Sequence, residues 1–458
     1  MDADSLAYSN SSHSLLVQAL CRDLLEDGIN LNTSAADEML RFFRYTQGHS
    51  PEQAVGIYLL SGRQLWGTLR QIIAWRFGSL SWGGRLLDFA SGYGRVTRHI
   101  VADVPKESVW VSDIYAEGVA FQQREFGVHG VVSTTDPEDF RCNVDFDCIQ
   151  VSSLFTHLPE ARFVAWLQRL GSLVKPEGLL IFSVHDMSLK RTREPAAATA
   201  PAGPAGIVFE AQSESGSLDT LEYGTSWVTE DFVRSAVRKA IGPCPVLRIP
   251  RGLGSFQDLY VVLKTGSPDG APFSGLKVER EADGFLEHCS WMGQRSLLLS
   301  GWSADRVLGR PPQEIRIRID GVLVASCRGL QPRPAMGQAF ASDPMQAVGW
   351  QAKVDLPAST DPQSAHLTVR SVASDGEELG LYSGPVLWAC LRSAQFDAVR
   401  LQDELGRQEA AHREELARQE ERTAELAARL RAVEASRFWK ARNFWFAFKR
   451  ALRLTTEP

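Results

Sequence analysis

The sequence predicts an α/β domain built on a mostly parallel sheet, then an all-β sandwich, then a long C-terminal helix. Three observations carry this. Apolar strand-like runs alternate with segments of helical spacing between residues 86 and 186, as parallel strands joined by crossover helices do. Between 276 and 388 short strands recur with turn signals and without helices. From Phe396 to Val433 the chain is dense in Glu, Arg, Gln, Ala and Leu, and Gly406 is the one helix breaker.

The elements follow in order. Residues 1–35 form a polar, Ser/Asn-rich segment with one short apolar helix near Leu15 to Leu25. Ala35 to Arg76 has helical periodicity through Met39, Phe42, Phe43, Leu59, Leu65, Leu69 and Ile72. Leu86 to Phe89 suits a buried parallel strand, and Val96 resumes helical spacing. Gly92 and Gly94 between them let backbone approach a ligand closely. A dinucleotide fingerprint needs a further glycine where this chain has Thr97, so a pyrophosphate is not indicated. Val109 to Asp113 reads as the next strand, Phe121 to Phe126 as helix and Val128 to Val132 as strand. Asp145 to Pro159 is a fourth strand with its turn, Ala161 to Val174 a helix and Gly178 to Asp186 a fifth strand. Pro245 to Ile249 and Gln257 to Lys264 close the domain as an antiparallel pair. Ala196 to Pro204 is a low-complexity excursion, and 267–275 a linker after the domain at 36–266.

Residues 276–390 then form a sandwich of about 110 residues, with Ile315, Ile317 and Ile319 on one period-2 face. Residues 393–435 form a charged helix. Leu405, Leu416, Leu426, Leu430 and Val433 fall at a/d positions, but so do Glu409, His412 and Gln419. That describes a weak coiled coil able to build a homo-oligomer through 396–435, or a solvated single helix. In 436–454 Phe438, Ala441, Trp445, Phe448 and Leu452 share one face, with six basic residues and no acid among them. An interfacial anchor on an anionic membrane, through 437–454, is expected; the competing reading is an aromatic cap on the coiled coil.

The net charge is −6 and the pI about 5.9, so no nucleic-acid partner is expected. Seven scattered cysteines without C-x-x-C, and histidines without ligand spacing, predict no metal and reduced thiols. The N-terminus lacks the basic-then-apolar order of a signal peptide, and no apolar run approaches the roughly 20 residues of a spanning helix. A cytoplasmic enzyme, peripheral at the inner face of the plasma membrane, is expected.

Asp88, the A-S-G-Y-G turn and Asp113 resemble a class I S-adenosylmethionine methyltransferase. The stretch from Asp145 to Pro159 resembles that family's fourth strand in its bacterial "FTHL" version, and the resemblance covers about residues 40 to 265. It implies a Rossmann-like, seven-stranded, mostly parallel sheet under a helical lid, with S-adenosyl-L-methionine as cofactor. Asp88, Ala90, Gly92 and Gly94 would line the methionine and ribose side, Asp113 hold the ribose and Ile114 pack on the adenine. Ser133 or Asp136 would sit by the adenine amine, and Ser152 or Ser153 face the sulfonium. His157, His185 and Asp186 fall at the sheet's carboxyl edge. His185 is the preferred general base, with Asp186 as its partner; His157 is a second base or a helix cap. Tyr58 and Arg63 are further candidates for the acceptor.

No N-P-P-[FYW] and no Pro-Cys follows the fourth strand, which disfavours nucleobase acceptors and leaves small molecules, lipids and glycans. Gly301-Trp-Ser with Asp305, and Ile319-Asp-Gly, resemble an immunoglobulin-like accessory module of bacterial glycosyltransferases and methyltransferases, acting as a spacer or a sugar binder. The S-x-F-W-K-x-R-N tail resembles enzymes of surface-polysaccharide assembly. Together these imply O-methylation of a sugar hydroxyl on a surface glycan or its lipid-linked precursor. The alternatives are a membrane-tethered scaffold with an inactive fold, and a small-molecule or lipid methyltransferase.

Overall fold

The computed structural model describes residues 14, 17–18, 21–46, 49–188, 190, 206–211, 218–254, 256–265, 271–279, 282–304, 311–332, 347–362 and 364–452. The low-complexity excursion at Ala196 to Pro204 and the basic Arg453 lie outside the described residues.

Two short helices, α1 (Arg22–Glu26) and α2 (Glu38–Arg41), precede the long α3 (Pro51–Phe77). Ser50 and Gln53 form a capping box with Pro51 at the first turn, and Gly78 closes the helix at φ 76°. The described part of the polar N-terminal segment packs against this helix. Val17, Cys21, Leu24, Ile29 and Leu31 are buried with Leu40, Tyr58 and Leu59. The buried Arg98 fastens it by donating from Nη1 to the carbonyls of Asn30 and Asn32 (2.9 Å each). Composition had hidden this, because few but large apolar residues supply the contact.

The strands of the sheet are β1 (Leu86–Phe89), β2 (Val109–Asp113), β3 (His129–Val132), β4 (Phe146–Val151) and β5 (Val174–Asp186). They run parallel in the order β3-β2-β1-β4-β5. Between them lie α4 (Thr97–Asp103), α5 (Ala116–Phe126) and α6 (Glu160–Leu173). The second of these begins five residues before Phe121, directly after the turn at Asp113. A hairpin, β6 (Ile207–Glu210) and β7 (Thr225–Val228), precedes α7 (Glu230–Ala240) and the antiparallel pair β8 (Val246–Leu253) and β9 (Gln257–Leu263).

Strand β5 serves two neighbours. Leu179 to Val184 pair with β9, whereas His185 and Asp186 pair with β7. The hairpin therefore adds two strands to the seven expected, making nine, and stands at the carboxyl edge where ligands of such sheets bind.

The expected linker is laid against the domain in its described part. Phe273 stacks on Trp75 with ring centres 6.0 Å apart, and Trp75 Nε1 donates to the Ser274 carbonyl (3.2 Å). Beyond it β10 (Asp283–Trp291), β11 (Ser296–Ala304), β15 (Ala347–Asp355) and β14 (Gln331–Pro332) form one antiparallel sheet. The other consists of β13 (Val322–Cys327), β12 (Glu314–Ile319), β16 (His366–Val372) and β17 (Glu378–Pro385). Ile315, Ile317 and Ile319 are fully buried between the sheets, and Arg316 and Arg318 alternate with them to pair with Glu378.

The helix α8 (Val386–Ala435) starts ten residues before Phe396, because Val386 and Ala389 belong to the sandwich core. Residues 393–458 form a second compact unit. In it Leu416, Leu426, Leu430 and Val433 are exposed. The final helix α9 (Arg437–Ala451) is capped by Ser436 and buries no residue.

Candidate active site

The turn after β1 is the most constrained backbone in the domain. Ala90 (φ 57°), Gly92 (φ 56°) and Gly94 (φ 80°) all take left-handed conformations. A Cβ on Gly94 would lie 2.4 Å from the Phe126 ring, so only glycine fits there. Gly118 of α5 likewise lets the Gly92 carbonyl approach to 2.7 Å of the position its own Cβ would take. A Cβ on Gly92 would meet nothing within 4 Å, which leaves room for a ligand against that backbone. Asp113, at the end of β2, accepts from the Gly92 amide (2.7 Å) and the Tyr115 amide (3.1 Å). Burial raises its carboxyl to about 6 despite those bonds. Ile114 follows, half-buried.

Beneath the turn lies a buried polar network. Asp88 accepts from Thr97 Oγ1 (2.6 Å) and from Gln150 Nε2. Gln122 Nε2 donates to Ser91 Oγ and to the Gly92 carbonyl (2.8 Å each), which turns its Oε1 toward Thr97 (2.7 Å). Burial pushes Asp88 up to about 7. Ser152 Oγ donates to Gln150 Oε1 (2.9 Å). Ser153 holds φ 68°, its amide donating to Ser183 Oγ (2.8 Å) and its Oγ accepting from Gln257 Nε2 (3.0 Å). Two non-glycine residues, Ala90 and Ser153, thus carry left-handed strain at the carboxyl ends of β1 and β4, where a functional site would account for it.

Other candidates have different work. Asp136 pairs with Arg162 (2.8 Å) and accepts from the Glu138 amide, so it closes its own turn rather than presenting oxygens to a base. The Ser133 amide instead donates to the Asp113 carbonyl (2.8 Å). Asp186 accepts from the Ser188 amide (2.8 Å) and pairs with Arg248 (3.0 Å), which also holds Asp258 and Glu230. These contacts anchor the Asp186 carboxylate on Arg248 at the end of β5. Tyr58 is buried, donates to Asp37 (2.6 Å) and lies under Arg98, while the exposed Arg63 pairs with Asp27 (3.8 Å); both are structural.

The two histidines each meet an aromatic ring of the hairpin. His157 stacks on Tyr223 (4.6 Å between ring centres), and its Nδ1 lies 2.7 Å from the Gly224 carbonyl. Because a carbonyl only accepts, Nδ1 carries the hydrogen and Nε2 is the basic nitrogen. Gly224 and Ser226 return their amides to the carbonyls of His157 and Thr156, so this turn pins the hairpin. His185 lies 4.9 Å from Trp227, whose Nε1 donates to Glu210.

Thr97, Gln122, Gln150 and Gln257 escape a reading by pattern, since a glutamine in an amphipathic run looks solvent-facing.

Residues 61–213 match a family model described as a methyltransferase domain. Among solved structures, magnesium protoporphyrin IX methyltransferase from Synechocystis PCC 6803 is 13% identical, with 49% of this chain and 97% of that one covered at a TM-score of 0.33. An O-methyltransferase family protein from Burkholderia thailandensis is 16% identical, covering 55% and 71% at a TM-score of 0.34. No curated protein matches the chain. The match spans residues 61–213 alone and points to methyl transfer by that part of the chain.

Proposed function

We propose that this domain methylates a sugar hydroxyl of a surface glycan or its lipid-linked precursor. The observation that carries the reading is the convergence at one sheet edge: the Gly92/Gly94 turn with Asp113 on one side, two histidine–aromatic pairs on the other. Bound S-adenosylmethionine supplies an electrophilic methyl carbon and a neutral thioether leaving group. Asp113 would receive the ribose hydroxyls, and Asp88 and the turn would lie along the methionine side. His185 is the proposed base: it takes the proton as the acceptor oxygen forms its bond to carbon and the carbon–sulfur bond breaks. His157, its Nδ1–H spent on Gly224, holds the hairpin in place. Hairpin aromatics suit the apolar faces of a sugar ring.

Titration of the full chain with S-adenosylhomocysteine tests the cofactor site. Asp113→Ala should weaken binding about tenfold or more, the worth of charge-assisted hydrogen bonds. Comparing cell-surface glycan methyl ethers with and without the gene tests the acceptor; identical patterns would favour a small-molecule or lipid acceptor. Loss of cellular function in a folded Gly92→Arg protein would exclude an inactive scaffold.

The same reading places the enzyme at an anionic membrane. Phe438, Trp445 and Phe448 are exposed on α9 beside Arg442 and Lys449, and no helix among the described residues is long and apolar enough to cross a membrane. Each basic side chain would contribute about 1 kcal/mol near such a surface. Pairing through the exposed leucines of α8 would make the tails multivalent. Sedimentation with anionic vesicles should carry down the full chain and leave a chain ending at Ala435 in solution.

A further inference from the structure

Two cysteines meet where the sandwich hands over to α8. Cys289 lies in β10 and Cys390 in the opening turns of the helix, and their Sγ atoms are 3.3 Å apart although 101 residues separate them in sequence. Both are free thiols. β10 is an edge strand of one sheet, and α8 continues directly from β17, an edge strand of the other. The root of the helix is seated by packing and a backbone bond. Val386 and Ala389 are buried in the core with Cys289, Cys390 packs against that core, and the Val386 amide donates to the Ala365 carbonyl (2.8 Å). The two sulfurs are therefore held face to face by the fold, and joining them asks for movement of about an ångström.

The two thiols are not equivalent. Cys289 is 2% exposed, whereas Cys390 is half-buried. The buried thiol keeps its proton and donates it to its neighbour, which holds the Cys390 thiol below the ordinary cysteine range and pushes Cys289 up. Cys244 and Cys327, the other half-buried thiols, are instead pushed up by burial. A reachable thiol of lowered pKa beside a buried second one is the arrangement of an attacking and a resolving cysteine. We propose that Cys289 and Cys390 form a reversible redox site, at which a peroxide closes a disulfide that fastens the root of α8 to the sandwich. The Cys390 thiolate attacks a peroxide oxygen, the O–O bond breaks, and a sulfenic acid and water result. The Cys289 sulfur then attacks the Cys390 sulfur. The S–S bond forms as the S–O bond breaks, and the departing hydroxide takes the Cys289 proton as a second water. The thiols lose two electrons and the peroxide gains them. Excess small-molecule thiol reverses the step by exchange, regenerating both cysteines and leaving its own disulfide.

The experiment treats the full chain with hydrogen peroxide and digests it without reduction. Mass spectrometry should find the peptides of Cys289 and Cys390 joined and short of one pair of hydrogens. A bond closing so long a loop restricts the unfolded chain, so the sandwich should melt about 10 °C higher after oxidation and return to its starting point with dithiothreitol. Amide exchange over residues 386–393 should slow about tenfold. Cys390→Ser should abolish the shift, while Cys244→Ser and Cys327→Ser retain it. The reduced, unaltered chain supplies a check that needs no variant: iodoacetamide should label Cys390 about tenfold faster than Cys244 or Cys327. Equal labelling of the three overturns the proposal. So does a Cys390 sulfenic acid that dimedone traps while Cys289 stays free, a cross-link to any other cysteine, or a joined pair that leaves the melting temperature unchanged.

Discussion

In the first domain Asp88, Asp113, Gln122, Gln150 and Gln257 are each no more than 7% exposed, and all gather at the carboxyl edge of the sheet. In the sandwich the corresponding charged row, Arg316, Arg318 and Glu378, stays partly in solvent on the outer face of β12 and β17. Backbone strain divides in the same way. Ala90 and Ser153 hold left-handed conformations beside the buried network, whereas the sandwich places Asp320 (φ 49°) and Gly321 in an ordinary hairpin turn. Burying polar atoms and straining non-glycine backbone both cost stability, and the first domain bears both costs at one place. In the sandwich the buried Glu314 and the left-handed Asp320 lie at opposite ends of β12.

The largest test compares two glycines of nearly equal φ. Gly94→Ala combines a left-handed penalty with the clash against Phe126, about 3 kcal/mol in all. Gly321→Ala, with nothing within 4 Å of its Cβ, should cost about 1 kcal/mol. Urea unfolding of the two full-length variants measures both. Equal losses would mean that the Gly92/Gly94 turn is no tighter than a surface hairpin.

Proton linkage should give buried acids of the two domains opposite signs. Asp88 and Asp113 have folded-state values raised to about 7 and about 6, above those of an unfolded chain, chiefly by burial. These two acids then bind more protons in the native domain than in the unfolded chain, so their contribution to stability falls as pH rises from about 4 to about 7, while His99, held down to about 3 by burial, contributes with the opposite sign. In the sandwich Glu314 is held down to about 2 by Arg316 and Arg328. Its contribution is present above the ordinary glutamate range and is lost as pH falls toward 2. Thermal unfolding between pH 4 and 7.5 reads the first effect, and between pH 5 and 2 the second. Removing the acid with Asp88→Asn should make the first-domain transition weaken less, or strengthen more, over the upper range than it does in the unaltered chain, and an unchanged slope would contradict the buried network.

The smallest effect separates strain with a purpose from strain without one. Ala90→Gly should relieve its turn and raise stability by up to about 1 kcal/mol. Asp320→Gly should lower stability by about as much, since Asp320 accepts from the Thr360 hydroxyl (2.8 Å) and the His366 amide (2.9 Å). Melting temperatures of the two variants shifting in the same direction would break the distinction.

Period and punctuation along the chain determined a good deal. The buried run at Leu86 to Phe89, the glycines at 92 and 94, and the alternation of Ile315, Ile317 and Ile319 are local patterns, and sterics alone translate them into strand, turn and sandwich face. The methyltransferase domain was legible for the same reason, because its motifs are short and ordered. Tertiary structure alone decided the partners. Gln150 reaches Asp88 from 62 residues away, and Arg248 claims Asp186 from the same distance. The hairpin joins β5 only where β9 stops, and Asn30 and Asn32 are met by Arg98 and Glu125 from far along the chain. A hydrogen bond is satisfied by whichever group the fold brings within about 3 Å, and sequence separation carries almost no information about that distance. Which group each histidine and each arginine meets was therefore decided only once the chain had folded.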